Sequence, residues 1–171
     1  MPDHVYLSVW LQQHDEASVF KAWRAALQGF PYSQSFPGVR SFSVHPVDWS
    51  EPVAVEEDFP AGAEVDMVLA TTEHFRHPDC AYQAVVCWDL SAGPKVVKII
   101  AYGPDFEGRE DERGHLEFDL GVETPFLGDQ HNISLLIAFN RKLADVLPLH
   151  KRHLWTESGA NFADKVAEAL E

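Results

Sequence analysis

The sequence predicts an α+β fold of mixed α/β order: a two-layer sandwich with helices packed mainly on one face of a mixed five-stranded sheet. Two observations lead to this prediction. Three neighbouring segments alternate apolar and polar residues with a period of two, which is typical of half-buried strands. The segments around them repeat apolar residues at helical spacing, which gives the order β-α-β-α-β-β-β-α-α.

The first three predicted elements form a β-α-β unit. Val5–Leu11 alternates as a half-buried strand, Asp15 is a good N-cap, and the helix after it ends near Gly29. Arg40–Val47 then alternates again. A helix between two strands predicts that the strands are parallel and that the crossover is right-handed.

The middle of the chain begins with a segment rich in proline and acidic residues. Residues 46–60 hold three prolines and five acids, and we interpret them as a surface loop. Pro60 suits the first turn of a helix that ends at His77-Pro78. Three strands are predicted to follow: Ala81–Leu90, Lys95–Tyr102 and His115–Leu120.

The last predicted elements are helices. Asp129 caps a helix over 131–147, and a final helix runs from about Ser158 through Leu170. We find no linker, so residues 1–171 are expected to form a single globular domain. The architecture is broadly ferredoxin-like, a comparison that carries no function.

Composition limits the classes of partner. The 171 residues carry a net charge of −14, which argues against nucleic acid and anionic membranes as partners because both require clustered Lys and Arg. The same charge permits a basic protein partner. If Cys80 and Cys87 lie on one strand, they are about 23 Å apart, which is too far for a disulfide. Unpaired thiols and the lack of an apolar run long enough to cross a bilayer predict a cytoplasmic protein.

One face of the predicted sheet, which we call the open face, is mixed in character. The three central strands turn these side chains toward it: Gln83, Val85, Cys87, Asp89, Lys98, Ile100, Tyr102, His115, Glu117 and Asp119. A hairpin that turns at Ala92-Gly93 would pair Val85 with Ile100 and Cys87 with Lys98. A hairpin that turns near Gly108 would pair Lys98 with Asp119, Ile100 with Glu117 and Tyr102 with His115. Large aromatic residues on a sheet face often mark interaction sites, and an ordinary solvated face is the alternative. The candidate surface for a ligand or partner comprises Tyr6, Trp10, Ser43, His45, Gln83 and Tyr102.

The open face also supplies candidate acid–base groups. They are His45, Lys98, Tyr102, His115, Glu117 and Asp119. The last three alternate on one strand and span about 13 Å, which is too wide for one metal ion to touch all of them. Alternating charges are also common on an exposed strand.

A second group of residues has the types that zinc prefers. His74, His77 and Cys80 follow one another at intervals of three, but no second half-site of this kind lies nearby. Histidines at a helix C-terminus also complement the helix dipole. We therefore predict no metal site, and no glycine-rich motif predicts a cofactor.

The leading functional hypothesis is a small, acidic, non-catalytic binding protein that holds a protein partner. Small immunity or inhibitor proteins have this chemistry, since they must neutralise basic nucleases. A small enzyme that uses the acid–base groups of the open face is the alternative. A homodimer whose interface is the open face is the second alternative.

Overall fold

The structure, a computed structural model, describes residues 4–108, 113–123 and 129–156. Its elements are β1 (His4–Leu11), α1 (Glu16–Gly29), β2 (Val39–Pro46), β3 (Val55–Ala63), α2 (Val65–Phe75), β4 (Cys80–Leu90), β5 (Gly93–Tyr102), β6 (Leu116–Glu123), α3 (Gln130–Val146) and β7 (Leu149–Thr156). The strands form one sheet in the order β3-β2-β4-β5-β6-β1-β7. Every neighbouring pair is antiparallel.

The predicted α+β class is therefore right, whereas the mixed five-stranded sheet and the ferredoxin-like architecture are wrong. The strands that begin and end the β-α-β unit, β1 and β2, run in the same direction but are not neighbours. The hairpin-connected strands β4, β5 and β6 lie between them. Local sequence pattern reports that a segment is a strand, but the choice of neighbour depends on contacts between distant residues.

The hydrophobic core lies between the three described helices and one face of the sheet. Alternate residues of the strands, such as Leu7, Ile99 and Phe118, are fully buried there with Trp23 of α1 and Leu136 of α3. The opposite face carries none of the described helices, and it is the open face of the predicted sheet. A smaller buried cluster forms on it from Ala81, Ile100, Tyr102 and Phe106.

The prediction that residues 46–60 form a loop is wrong in its second half, where β3 begins. The predicted helix start at Pro60 is also wrong: Pro60 lies in β3 and α2 begins at Val65. β3 is an edge strand that pairs with β2 alone. An edge strand tolerates proline and exposed charge, because one side of it makes no ladder hydrogen bonds. Its pattern therefore resembles that of a loop.

The opposite edge of the sheet is β7, which the sequence pattern did not indicate. Its residues 150–153 are His, Lys, Arg and His, and Leu154 is its most deeply buried apolar side chain. A strand with so little buried surface shows almost no alternation. The helix predicted from Ser158 to Leu170 lies outside the described residues.

Both predicted N-caps are confirmed. Asp15 accepts a hydrogen bond of 2.7 Å from the Ser18 amide, and Asp129 accepts one of 2.8 Å from the His131 amide. Cys80 and Cys87 are both free and buried. None of the described helices combines the length and apolar character needed to cross a membrane.

Candidate functional site

The open face is organised in rows that run across the strands. Strand register places Lys98 opposite Asp119 and Ile100 opposite Glu117, as the sequence predicts, and the Tyr102 amide donates to the His115 carbonyl. The predicted pairing of Val85 with Ile100 is wrong, since Val85 lies opposite Lys98. That shift of two residues leaves every side chain on its predicted face.

Glu117 carries the most buried carboxylate among the described residues, and only 2% of the residue is exposed. It accepts a hydrogen bond of 3.1 Å from the Tyr102 hydroxyl and one of 3.1 Å from Arg113 Nη1. Burial raises the pKa of Glu117, while Arg113 and Tyr102 act to lower it. Tyr102 is only 1% exposed, so neither predicted catalytic group faces solvent.

His115 lies two residues before Glu117 on the same face, and its imidazole ring stacks on that of His14. The rings of His115 and His14 are 3.7 Å apart and nearly parallel. His115 Nδ1 accepts a hydrogen bond of 2.9 Å from the Leu11 amide, and His14 Nε2 lies 2.8 Å from the Tyr102 carbonyl. A carbonyl only accepts, so His14 donates through Nε2. His14 lies in the connection after β1, where no periodic pattern in the sequence indicates a site.

Five residues of the predicted partner surface lie in two separate regions. Near β7, Tyr6 stacks on Trp155 at 4.6 Å, and Trp10 lies under the Lys151 ammonium at 4.7 Å. On the other half of the sheet, Ser43 Oγ is 2.9 Å from His45 Nε2. Gln83 lies between Ser43 and Ile100. Lys98 is exposed, and Asp119 lies 3.6 Å from His4 Nδ1.

An aromatic cluster around Trp49 covers one end of the open face. The Trp49 ring makes edge contacts with His45 at 4.7 Å and with Phe106 at 5.0 Å, and it lies 6.1 Å from Tyr102. A Cβ on Gly108 would lie 2.7 Å from Trp49 Cδ1, so the glycine permits this packing. Trp49 nevertheless remains 42% exposed. Sequence reasoning missed it, although a tryptophan in an acidic, proline-rich segment was an available signal.

His45 connects this cluster to the acidic edge strand. Burial lowers the pKa of His45, and the negative charge of Glu56 acts in the opposite direction. Glu56 lies opposite Ser43 and Asp58 opposite Ser41, which places both carboxylates on the open-face side of β3. The exposed tryptophan and the acidic strand therefore belong to one continuous surface.

The residues considered for zinc do not converge. His77 Nδ1 lies 2.6 Å from Asp79, His74 is exposed beside Phe75, and Cys80 is buried. Burial raises the pKa of Cys80 to about 12, so its thiol stays protonated at neutral pH. Among the described residues, no group of three His, Cys, Asp or Glu is placed to hold a metal ion.

Tyr102 and Glu117 are hydrogen-bonded to each other and both are covered. The accessible side chains near them include Lys98 of β5 and Trp49, whose ring lies 6.1 Å from that of Tyr102. A comparison of the chain with protein-family models, with curated proteins and with solved structures finds no match.

Proposed function

We propose that this protein is a non-catalytic binding protein that holds a basic protein partner at Trp49 and the neighbouring strand β3. The proposal depends on one observation, which is that the Trp49 ring is packed against its neighbours and is still accessible to solvent. Its ring is fixed by His45, Phe106 and Gly108, yet 42% of the residue stays exposed. A rigid, accessible tryptophan loses little side-chain entropy on binding and is a frequent energetic centre of protein interfaces.

The acidic residues around Trp49 favour a partner whose surface is positively charged. From Ser41 to Phe75 the chain has eight acidic residues and no Lys or Arg. Glu56, Glu57 and Asp58 are exposed on β3. The negative electrostatic potential of these acids accelerates the approach of a basic partner and disfavours acidic partners.

Cation–π contact gives the tryptophan and the acids a common target. A lysine or arginine of the partner that lies over the Trp49 ring gains about 0.5–1 kcal/mol at an exposed site. Glu56 lies close enough to act on the charge of His45, which contacts that ring. A cation on Trp49 would therefore be attracted by the ring and by the carboxylate together.

This chemistry is that of small acidic inhibitor or immunity proteins, which cover a basic surface on their target. The two free cysteines suit a reducing compartment, so we propose that the protein acts in the cytoplasm. The enzymatic alternative has less support, because burial of Glu117 and Tyr102 separates them from any substrate unless the covering residues move.

A short arginine-rich peptide tests the binding surface without knowledge of the natural partner. We expect Trp49→Ala and Glu56→Gln each to weaken its binding several-fold and higher salt to weaken it further. The matched controls are Met67→Ala, which removes a similarly exposed apolar side chain from α2, and Asp145→Asn, which removes one exposed acid from α3. These controls should bind as the wild type does.

Equal losses in all four variants would mean diffuse attraction to an acidic protein and would overturn the site. The homodimer alternative is tested in the same preparation by measuring molecular mass in solution. Val96 of the central strand β5 is 52% exposed on the open face, so Val96→Glu would dissociate a dimer built on that face. A wild-type dimer that this substitution converts to monomer would assign the face to self-association instead.

A further inference from the structure

On the other side of the sheet, a groove separates the C-terminal end of α1 from the middle of α3. It consists of two adjoining cavities of about 200 Å³ and about 240 Å³. Both are lined by Gly29, Phe139 and Lys142. The other described lining residues are apolar except Gln28, and they include Phe30 and Ala138.

The groove exists because small residues stand where two packed helices would otherwise interdigitate. Gly29 ends α1 without a side chain, and a Cβ there would lie 3.5 Å from Lys142 Cε. The floor is rigid, since Phe139 makes edge contacts with Phe30 at 5.4 Å and with Phe118 at 5.2 Å. The result is an apolar trough with a fixed base.

One positive charge lies at this trough. Among the described residues that line the cavities, Lys142 is the single ionisable side chain. Within the described part of the chain, Lys142 makes no ion pair. An apolar surface beside an ammonium that has no described carboxylate partner is complementary to a molecule with an aliphatic tail and one negative head group.

We propose that this groove binds an aliphatic monocarboxylate, with its chain between α1 and α3 and its carboxylate at the Lys142 ammonium. The proposal is independent of the partner surface, which lies on the opposite side of the sheet. Apolar burial supplies most of the affinity, and the ion pair selects the acid over a neutral amphiphile of the same length.

Calorimetric titration of the 171-residue chain with octanoate and with 1-octanol tests both the apolar groove and the ion pair. We expect saturable 1:1 binding of octanoate. Lys142→Met should weaken octanoate roughly threefold, the effect of one exposed ion pair, and leave octanol unchanged. Ala138→Leu, which fills the groove from an exposed position, should weaken both ligands. Lys21→Met, an exposed lysine of α1 outside the groove, should change neither.

Amide chemical shifts locate the ligand in the same experiment. Octanoate should shift residues at the end of α1 and along α3 around Phe139. Absence of saturable binding, shifts confined to the open face, or equal losses in Lys142→Met and Lys21→Met would each overturn the proposal. Binding by octanol alone would overturn the role of Lys142 and leave an apolar groove.

Discussion

The hydroxyl of Tyr102 donates a hydrogen bond of 3.1 Å to Glu117, and both residues are almost fully buried on the face of the sheet that carries no described helix. Arg113 closes the other side of the same carboxylate. The hydrogen bonds from Tyr102 and Arg113 to Glu117 hold the end of the β5–β6 connection against the sheet. Part of the open face is therefore a second, polar core.

The first prediction concerns that hydrogen bond. Tyr102→Phe removes the phenolic donor and leaves a buried carboxylate with one partner fewer, so we expect a loss of about 2 kcal/mol in the free energy of unfolding. Denaturation in urea measures it. Tyr82→Phe is the matched control, because the buried Tyr82 hydroxyl accepts only a long bond of 3.4 Å from the His77 amide. A larger loss at Tyr82 would contradict the assigned role of Tyr102.

The second prediction concerns the pH dependence of stability. Burial holds the pKa of Glu117 above its ordinary value of 4.5. Between the ordinary and the raised value, the folded protein binds more protons at this site than the unfolded chain does, so the contribution of Glu117 to stability falls as pH rises. We expect the stability of Glu117→Gln relative to the wild type to improve as pH rises from 4.5 toward neutrality. Unfolding curves across that range measure the difference, and a change in the opposite direction would show that Arg113 outweighs burial.

The third prediction concerns Arg76, which joins α1 to the end of α2. Its guanidinium pairs with both oxygens of Glu16, lies 3.2 Å from Glu73 and covers the Phe20 ring at 4.1 Å. Lysine cannot form the paired contact, so Arg76→Lys should cost about 1 kcal/mol and the loss should shrink at high salt. Arg24→Lys is the control, because Arg24 covers the same ring at 5.0 Å without a described carboxylate partner. Equal losses in the two variants would assign the effect to the ring contact alone.

The fourth prediction concerns Gly121 in β6. Its φ is +64°, and a Cβ would lie 1.8 Å from the Val96 carbonyl oxygen. Gly121→Ala therefore combines backbone strain with a backbone clash, and we expect a loss of at least about 2 kcal/mol. Gly29→Ala is the control, since its Cβ would meet only the flexible Lys142 side chain at 3.5 Å. Thermal unfolding of both variants checks the contrast, which would fail if Gly121→Ala unfolded at the wild-type temperature.

The fifth prediction concerns the basic edge of the sheet. Among the described strands, β7 pairs only with β1, and its charged side chains oppose pairing with another chain. We expect the double variant Lys151→Gln/Arg152→Gln to self-associate more strongly than the wild type, as measured by light scattering over a range of concentrations. Lys21→Gln/Arg141→Gln makes the same change in net charge on helices and should stay at the wild-type level. Equal association of the two variants would mean that total charge, and not the edge, controls it.

Local pattern was sufficient for the central strands and for the starts of α1 and α3. Side chains such as Leu116 and Glu117 alternate between a buried core and a different environment, and period-two alternation records that difference directly. Asp15 and Asp129 predict the starts of their helices, because an N-cap side chain accepts a hydrogen bond from an amide two or three residues later in the chain. These features depend on neighbours in the chain, so the sequence by itself determined them.

The order of the strands, the two edges and the environment of the open face were decided by the tertiary structure. β3 and β7 bury too little surface to produce a periodic pattern. From the sequence, Glu117 is expected to be an exposed charge, whereas in the structure it is hydrogen-bonded to Tyr102 and Arg113. From the sequence, Trp49 is expected to be an ordinary loop residue, whereas in the structure its ring packs against Phe106. The burial of a side chain and the choice of a strand's neighbour both depend on contacts between residues that are far apart in the chain. These contacts form only when the whole sheet is assembled.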